Sequence, residues 1–99
     1  MNEIKLVNLT TGGAPIIAKV AIKDEYYILE DPFNILYVTP KEPTGEPKFN
    51  VFDMLVLSSD SSIEISSKHI LFCNTPLPEI LDQYNAMMMN KLDLIVDGD

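Results

Sequence analysis

The sequence predicts an all-β domain, a small five-stranded barrel followed by one C-terminal α-helix. Three observations predict this fold. Apolar and polar residues alternate over several short segments before residue 75, and a two-residue period is typical of strands. Clusters of Gly, Pro, Asp and Ser separate these segments as turns. After residue 75 the period changes to that of a helix. Short strands followed by one helix favour a barrel with a helical appendage.

The first two strands are predicted at residues 4–9 and 16–23, on either side of a turn that contains two glycines. In the second strand Ile16, Ala18, Val20 and Ile22 fall two apart and share one face of the pleat. An acidic turn at residues 24–25 leads into a third strand at 26–30. The following Asp-Pro pair interrupts the ladder as a bulge or kink, and strand character resumes at 33–38.

The remaining strands are shorter and are separated by polar segments. Residues 39–48 contain three prolines and one glycine and are predicted to form a loop within the domain. Further strands are predicted at 51–57, 63–65 and 69–73, with serine-rich breaks between them. The barrel is therefore assigned to residues 1–75.

A C-terminal amphipathic helix is predicted at residues 76–90. Thr75 fits the N-cap, and Pro76 fits the first helical position, where the missing N–H is not needed. One face of this helix is apolar: Leu77, Ile80, Leu81, Tyr84 and Met88. The methionines at 87–89 fit either core packing or a docking surface for a partner. Residues 91–99 form an acidic tail, either frayed or added as a strand to a neighbour's edge.

Composition and charge narrow the class of protein. The chain has 99 residues, enough for one domain, and no apolar run approaches the roughly eighteen residues that a membrane helix needs. The N-terminus lacks the pattern of a signal peptide. A single cysteine, Cys73, excludes an intrachain disulfide, so we expect a reduced, cytoplasmic setting.

The charge balance is strongly acidic. Fifteen acidic residues oppose seven lysines, arginine is absent, and the net charge is −8. Such a charge repels a phosphate backbone at long range, so any nucleic-acid binding must come from a local lysine patch. The simpler interpretation is that the charge keeps the protein soluble.

The sequence predicts no enzyme, no metal site and no cofactor. His69 and Cys73 lie four residues apart on a predicted strand, about 13 Å along it, which is too far for a nucleophile and its base. The paired carboxylates at 24–25 and 30–31 fit a weak metal site less well than solvated turns. The glycine pair joins two strands and is not followed by a helix, unlike a phosphate-binding loop.

The segment that begins at Gly13 resembles the first motif of the Sm family of small β-barrels. That motif has a glycine, an apolar residue three later, a small residue five later, an apolar residue seven later and an aspartate eleven later. An aromatic residue or methionine, an asparagine and an apolar residue follow. The matching positions are Gly13, Ile16, Ala18, Val20, Asp24, Tyr27, Ile28 and Leu29. Ile28 occupies the position of the asparagine that reads uracil in the family.

The second Sm motif is an apolar strand end, an arginine–glycine turn and a closing apolar strand. Residues 63–65, 66–69 and 70–73 resemble these three parts, with Ser66 and Ser67 in place of arginine and glycine. The helix also differs, because in the family it precedes the barrel. The general pattern is similar to that of small Sm-like proteins carried by marine and cyanobacterial phages, which implies the cytoplasm of a bacterial or phage-infected cell.

The resemblance implies a strongly bent barrel whose last strand pairs with the fourth strand of a neighbouring subunit. Such contacts close into a homo-oligomeric ring of about five to seven subunits. It further implies non-catalytic binding of nucleic acid, most simply single-stranded RNA, in RNA or DNA processing. The candidate binding residues are Tyr26, Tyr27, Ser67, Lys68 and His69. Lys5, Lys19 and Lys23 fit a supporting role.

Each candidate also has an ordinary structural interpretation. Tyr26 and Tyr27 are adjacent, so their rings point to opposite faces and one of them belongs to the core. Lys68 and His69 also fit a solvated turn. A protein-interaction scaffold ring that has lost the RNA pocket is therefore the alternative function, and Ile28, Ser66 and the acidic net charge favour it.

Overall fold

The fold is an antiparallel sheet with one C-terminal helix, as the sequence predicts. The structure is a computed structural model that describes residues 3–38, 48–55 and 57–97. Its elements in chain order are β1 (Glu3–Leu9), β2 (Ile16–Lys23), β3 (Tyr26–Val38), β4 (Lys48–Asp53), β5 (Ser62–Ser66), a 3-10 helix (Ser67–His69), β6 (Ile70–Asn74) and α1 (Pro78–Asp97). The predicted loop at 39–48 lies almost entirely outside the described residues.

The strands run β4-β3-β2-β1-β6 across the sheet, and β5 also pairs with β3. The two halves of β3 have different partners: residues 26–30 pair with β5, and residues 33–38 pair with β4. The strand predicted at 51–57 is observed as β4 at 48–53, and the strand predicted at 63–65 is β5, which pairs with the first half of β3. The sheet has six strands where five were expected.

The sheet curls strongly, although it does not close into a barrel. In a flat sheet β5 and β6 would lie four strand spacings apart, roughly 19 Å. The chain joins them through the three residues of the 3-10 helix, which rise only about 2 Å each. The two sides of the sheet therefore approach each other at this connection without forming a ladder. The expectation of a closed barrel is corrected to a curled, open sheet.

The bend in β3 lies at Asp31 and Pro32, where the sequence predicts a bulge. The register between β2 and β3 shifts here, so that Lys19 opposes Glu30 while Ile17 opposes Phe33. Asp31 has a φ of 51°, a left-handed conformation that aspartate tolerates better than most residues. The bend changes the direction of β3, so that residues before it pair with β5 and residues after it pair with β4.

Two apolar clusters lie on opposite faces of the curled sheet. The inner face holds a buried cluster of Val7, Ile16, Ala18, Val20 and Leu29. The outer face holds a second cluster that includes residues from α1: Ile17, Phe33, Ile35, Val51, Ile80 and Tyr84. Because β2 contributes Ile16 to one cluster and Ile17 to the other, it is covered on both faces.

The helix begins two residues later than predicted and extends further. Pro78 takes the first helical position, and Leu81 N–H donates to the carbonyl of Leu77 at 3.0 Å. Pro76 does not start the helix because it would require a helical Leu77, a conformation that the ring of Pro78 disfavours. Residues 91–97, expected as a tail, are helical.

The extension of the helix has a sequence basis. Leu92 and Ile95 follow Met88 at steps of four and three, so they continue the helical period, and no proline or glycine intervenes before Gly98. On the predicted apolar face Ile80 and Tyr84 are buried, whereas Leu77 is mostly exposed. Met87 and Met88 pack against the outer cluster, and Met89 is exposed.

Candidate nucleic-acid interface

Two turns, the β2–β3 turn and the 3-10 helix at 67–69, meet at one end of the sheet. The β2–β3 turn contains Asp24, whose φ of 55° closes the tight connection. The backbone N–H of Ser67, at the start of the 3-10 helix, donates to the carbonyl of Glu25 at 2.7 Å. Thr10 N–H donates to the carbonyl of His69 at 2.9 Å, which ties the same 3-10 helix to the β1–β2 turn. Turns distant in sequence are thus fixed together by backbone hydrogen bonds.

The two candidate tyrosines lie on opposite faces, as strand alternation predicts. Tyr26 opposes Lys23 on β2 and Ser66 on β5, and half of its surface is exposed (51%). Tyr27 opposes Ile22 and Ile65 and packs against the inner cluster. Tyr26 is therefore the tyrosine available to a ligand, whereas the ring of Tyr27 supports the core.

The other three candidates form the 3-10 helix. Ser67, Lys68 and His69 are all exposed. Their exposure fits a solvated turn and a binding surface equally well. Their connection to Tyr26 is short, because Tyr26 pairs with Ser66, the residue immediately before them. The fold brings Tyr26, Ser67, Lys68 and His69 to one end of the sheet and directs Tyr27 away from it.

A cavity of about 200 Å³ lies beside Tyr26 on the outer face. It is lined by Lys23, Asp24, Tyr26, Ile28 and Glu64. Cross-strand pairing explains this set, because Lys23 opposes Tyr26, and Ile28 opposes Glu64. Residues directly opposite each other in an antiparallel ladder share a face. Ser67, Lys68 and His69 lie outside the lining of the cavity.

Glu64 was not identified from the sequence as a site residue. Glu64 lies between Ile63 and Ile65 on a strand, so its side chain is on the face opposite theirs. The alternation of the sequence is enough to predict this face. Its position beside Ile28 depends on the register between β3 and β5, which joins residues 36 apart in sequence. This register between distant strands cannot be predicted from local sequence patterns.

The charges around the two turns are mixed. Lys23 and Lys68 supply cations, and Asp24, Glu25 and Glu64 supply carboxylates within the same few elements. Lys19, further along β2, forms an ion pair with Asp31 at 3.6 Å. Lys5 lies on the inner face near Glu3 and Thr75, with its Nζ 3.4 Å from the Glu3 carboxylate. Among the lysines whose side chains the structure describes, Lys23 and Lys68 are therefore the two placed to face a ligand at this end.

The single cysteine lies on β6, with part of its surface in the inner cluster. Burial raises the pKa of the Cys73 thiol, and the nearby Lys5 opposes the shift more weakly. A raised thiol pKa reduces the thiolate fraction and hence the nucleophilicity. Across residues 3–38, 48–55 and 57–97, no group of three His, Cys, Asp or Glu side chains is arranged to hold a metal ion.

Comparisons with known proteins give no family assignment. The chain matches no protein-family model, and a search of curated proteins finds no significant similarity. In the described part of the chain, no helix combines the length and apolar character needed to cross a membrane.

Proposed function

We propose that this chain is a non-catalytic protein that binds single-stranded nucleic acid through the end of the sheet where the two turns meet. The hydrogen bond from Ser67 to Glu25 carries this proposal, because it holds the exposed ring of Tyr26 beside the segment that contains Lys68. An exposed aromatic ring stacks on a base, and neighbouring lysines contact the phosphates. Stacking of this kind contributes about 1–3 kcal/mol per base.

The proposal includes assembly into a closed homo-oligomer, as the Sm resemblance implies. Both sides of the open sheet offer strands for pairing: β6 on one side, and β4 with β5 on the other. Each side also exposes large apolar side chains, Leu71 and Phe72 on β6, and Leu36 and Phe52 near β4. A free strand edge with exposed apolar residues favours pairing with another chain. Assembly would repeat Lys68 around a ring, which concentrates positive charge locally despite the net charge of −8.

Binding is tested with labelled oligo-U, oligo-A and single-stranded DNA over a series of salt concentrations. We expect affinity to fall steeply with salt, with a slope of about −0.7 per phosphate contact in single strands. Lys68→Ala should weaken binding and reduce that slope. Lys5→Ala is the matched control, because it removes the same charge from β1, outside the 3-10 helix and the β2–β3 turn. Equal effects of the two substitutions would contradict a local site.

Assembly is tested by measuring the mass of the protein in solution. The double substitution Leu71→Glu with Phe72→Glu places two charges on the β6 edge and should reduce the mass to that of a monomer. Leu57→Glu is the matched control, because Leu57 is 99% exposed and lies outside the strands. A monomeric wild-type protein would contradict the ring.

A protein-interaction scaffold is the second candidate function. The carboxylates of Asp24, Glu25 and Glu64 around the two turns favour it, because they repel phosphate where Lys23 and Lys68 attract it. Ile28, at the position of the family's uracil-reading asparagine, also favours it. An intact oligomer that binds none of the three oligonucleotides at low salt would support the scaffold and overturn the nucleic-acid proposal.

A further inference from the structure

The cavity beside Tyr26 contains groups that bind a planar ligand in distinct ways. Tyr26 supplies an aromatic wall, Ile28 an apolar side chain and Lys23 a cation. Glu64 and Asp24 supply carboxylates. The lining is thus mostly polar, with two apolar or aromatic side chains and three charged groups, and precisely placed polar groups fix the orientation of a small ligand. The cavity therefore suits a flat, partly apolar ring that carries hydrogen-bond donors.

The polar groups of the cavity restrict which ring fits. An ionised carboxylate only accepts hydrogen bonds, so a ligand edge that faces Glu64 must donate them. In the described part of the chain, no hydrogen bond or ion pair involves the Glu64 carboxylate. Glu64 is exposed and lies on a strand that pairs with β3, opposite Ile28, so its position relative to the apolar side chain is fixed.

We propose that this cavity selects guanine, with the carboxylate of Glu64 accepting hydrogen bonds from N1–H and the N2 amino group. The inference rests on the proposed function and names the base that the same site reads. Guanine presents two adjacent N–H donors on its pairing edge, which match the two oxygens of one carboxylate. The ring stacks on Tyr26, and Lys23 is placed at the rim for an adjoining phosphate.

The other bases fit this edge less well. Uracil has one N–H between two carbonyl oxygens, and these oxygens repel a carboxylate. Adenine and cytosine each place an acceptor nitrogen beside their amino group, so only one hydrogen bond to the carboxylate forms. Because a bidentate contact carries discrimination of about 1–3 kcal/mol, we expect guanine to bind about 5- to 150-fold tighter than the other bases.

The test uses the full-length assembled protein and short U-rich oligonucleotides that differ at one central position. That position carries guanine, inosine, adenine, cytosine or uracil. Inosine keeps the N1–H of guanine and lacks the N2 amino group, so it measures the contribution of the second hydrogen bond. We expect guanine to bind most tightly, inosine to be intermediate, and the other three to be weakest.

Glu64→Gln is the informative variant, because it preserves the shape of the side chain and removes its charge and one acceptor oxygen. The ratio of guanine affinity to adenine affinity should fall to about one or below, because the glutamine amide presents one acceptor and one donor, which match the amino group and N1 of adenine. Glu79→Gln, an exposed position at the start of α1, makes the same charge change and should preserve the ratio. A wild-type protein that binds all five oligonucleotides equally overturns the guanine inference and leaves the nucleic-acid function standing.

Free guanosine monophosphate separates the remaining outcomes. If it binds in a Glu64-dependent way while every oligonucleotide fails, the cavity is a guanine site for free nucleotides, and the nucleic-acid function is overturned. If neither guanosine monophosphate nor any oligonucleotide binds, both proposals are overturned. Guanine selectivity that persists in Glu64→Gln overturns the role assigned to that carboxylate.

Discussion

The outer face of the sheet has a covered half and an open half, and β3 runs through both. Beyond the bend at Asp31, this face carries Phe33 and Ile35, and α1 covers them. Before the bend, the same face carries Tyr26 and Ile28, and no described helix or strand covers them. On the outer face, one strand thus contributes to a core in one half and to a cavity in the other.

The two halves differ because the described side chains of α1 pack against the outer face beyond the bend and not against the outer face before it. Tyr84 of the helix lies over the bend, where its hydroxyl donates to the carbonyl of Asp31 at 2.9 Å and its ring meets that of Phe33 edge to face at 5.5 Å. The helix therefore stabilises the sheet up to the bend. The half before the bend gains no such stabilisation on its outer face, which leaves that face free to change for binding. Substitutions on the two sides should separate stability from binding.

The largest expected effect is that of Tyr84→Ala on the covered half. The substitution removes a fully buried aromatic side chain and should lower the free energy of unfolding by about 3–5 kcal/mol. Denaturant unfolding measures the change. Asp82→Ala, on the exposed side of the same helix, should change it by less than about 0.5 kcal/mol. If both variants lowered the free energy of unfolding equally, the stability would not depend on the contact between Tyr84 and the sheet.

Asp31→Ala tests the boundary between the halves. Alanine is less favourable than aspartate at a φ of 51°, and the substitution also removes the ion pair with Lys19. We expect a loss of about 1–3 kcal/mol in the free energy of unfolding. Asp60→Ala, in the exposed loop before β5, is the control and should have no measurable effect. An unchanged stability in Asp31→Ala would mean that the bend does not need this residue.

Tyr84→Phe tests the hydroxyl alone and has a dependence on pH. Burial, reinforced by Asp31, Glu30 and Asp53, raises the pKa of Tyr84 above its ordinary value. The neutral phenol is therefore favoured in the folded state, and its contribution is complete below the unfolded pKa of about 10 and is lost as pH rises above it.

The expected outcome is a loss of about 1 kcal/mol at neutral pH in Tyr84→Phe, since the hydrogen bond to Asp31 disappears. Above pH ~10 the wild-type protein should lose stability more steeply than the variant. Unfolding measured across this range, together with tyrosinate absorbance, checks both parts. Parallel curves for the two proteins would contradict the assignment of the alkaline loss to Tyr84.

The smallest effect on stability is expected from Tyr26→Ala on the open half. The free energy of unfolding should change by less than about 0.5 kcal/mol, because half of this side chain is already exposed. Oligonucleotide affinity should fall by about 1–3 kcal/mol per stacked base. Tyr27→Ala should do the reverse, since its ring packs against the inner cluster. A binding loss in Tyr27→Ala alone would assign the stacking role to the other tyrosine.

Local patterns predicted most of the strands because alternation and turn chemistry are local. The glycine turn has φ values of 86° at Gly12 and 92° at Gly13, as a turn of that kind requires. The predicted strand at 51–57 was too long because Asp53 ends it: its carboxylate accepts from Leu55 N–H at 2.9 Å and starts a turn. That competition between a side chain and the ladder is not visible in the apolar pattern.

The candidate site was predictable in part for a related reason. Adjacent positions in a strand reach opposite faces, so the separation of Tyr26 from Tyr27 follows from the sequence. The meeting of Ser67 with Glu25, and of Glu64 with Ile28, depends on the pairing of β3 with β5. Pairing between distant segments is set by the packing of the whole sheet, and no short motif encodes it.

The position of β1 has a consequence for synthesis of the chain. Strand β1 lies between β2 and β6, and β6 ends at Asn74, so the second ladder of β1 has no partner until residues 70–74 have been translated. At ordinary elongation rates of about 5–20 residues per second, a nascent sheet would expose one side of β1 for several seconds on the ribosome. The free side of β1 is thus open to unwanted strand pairing during that interval.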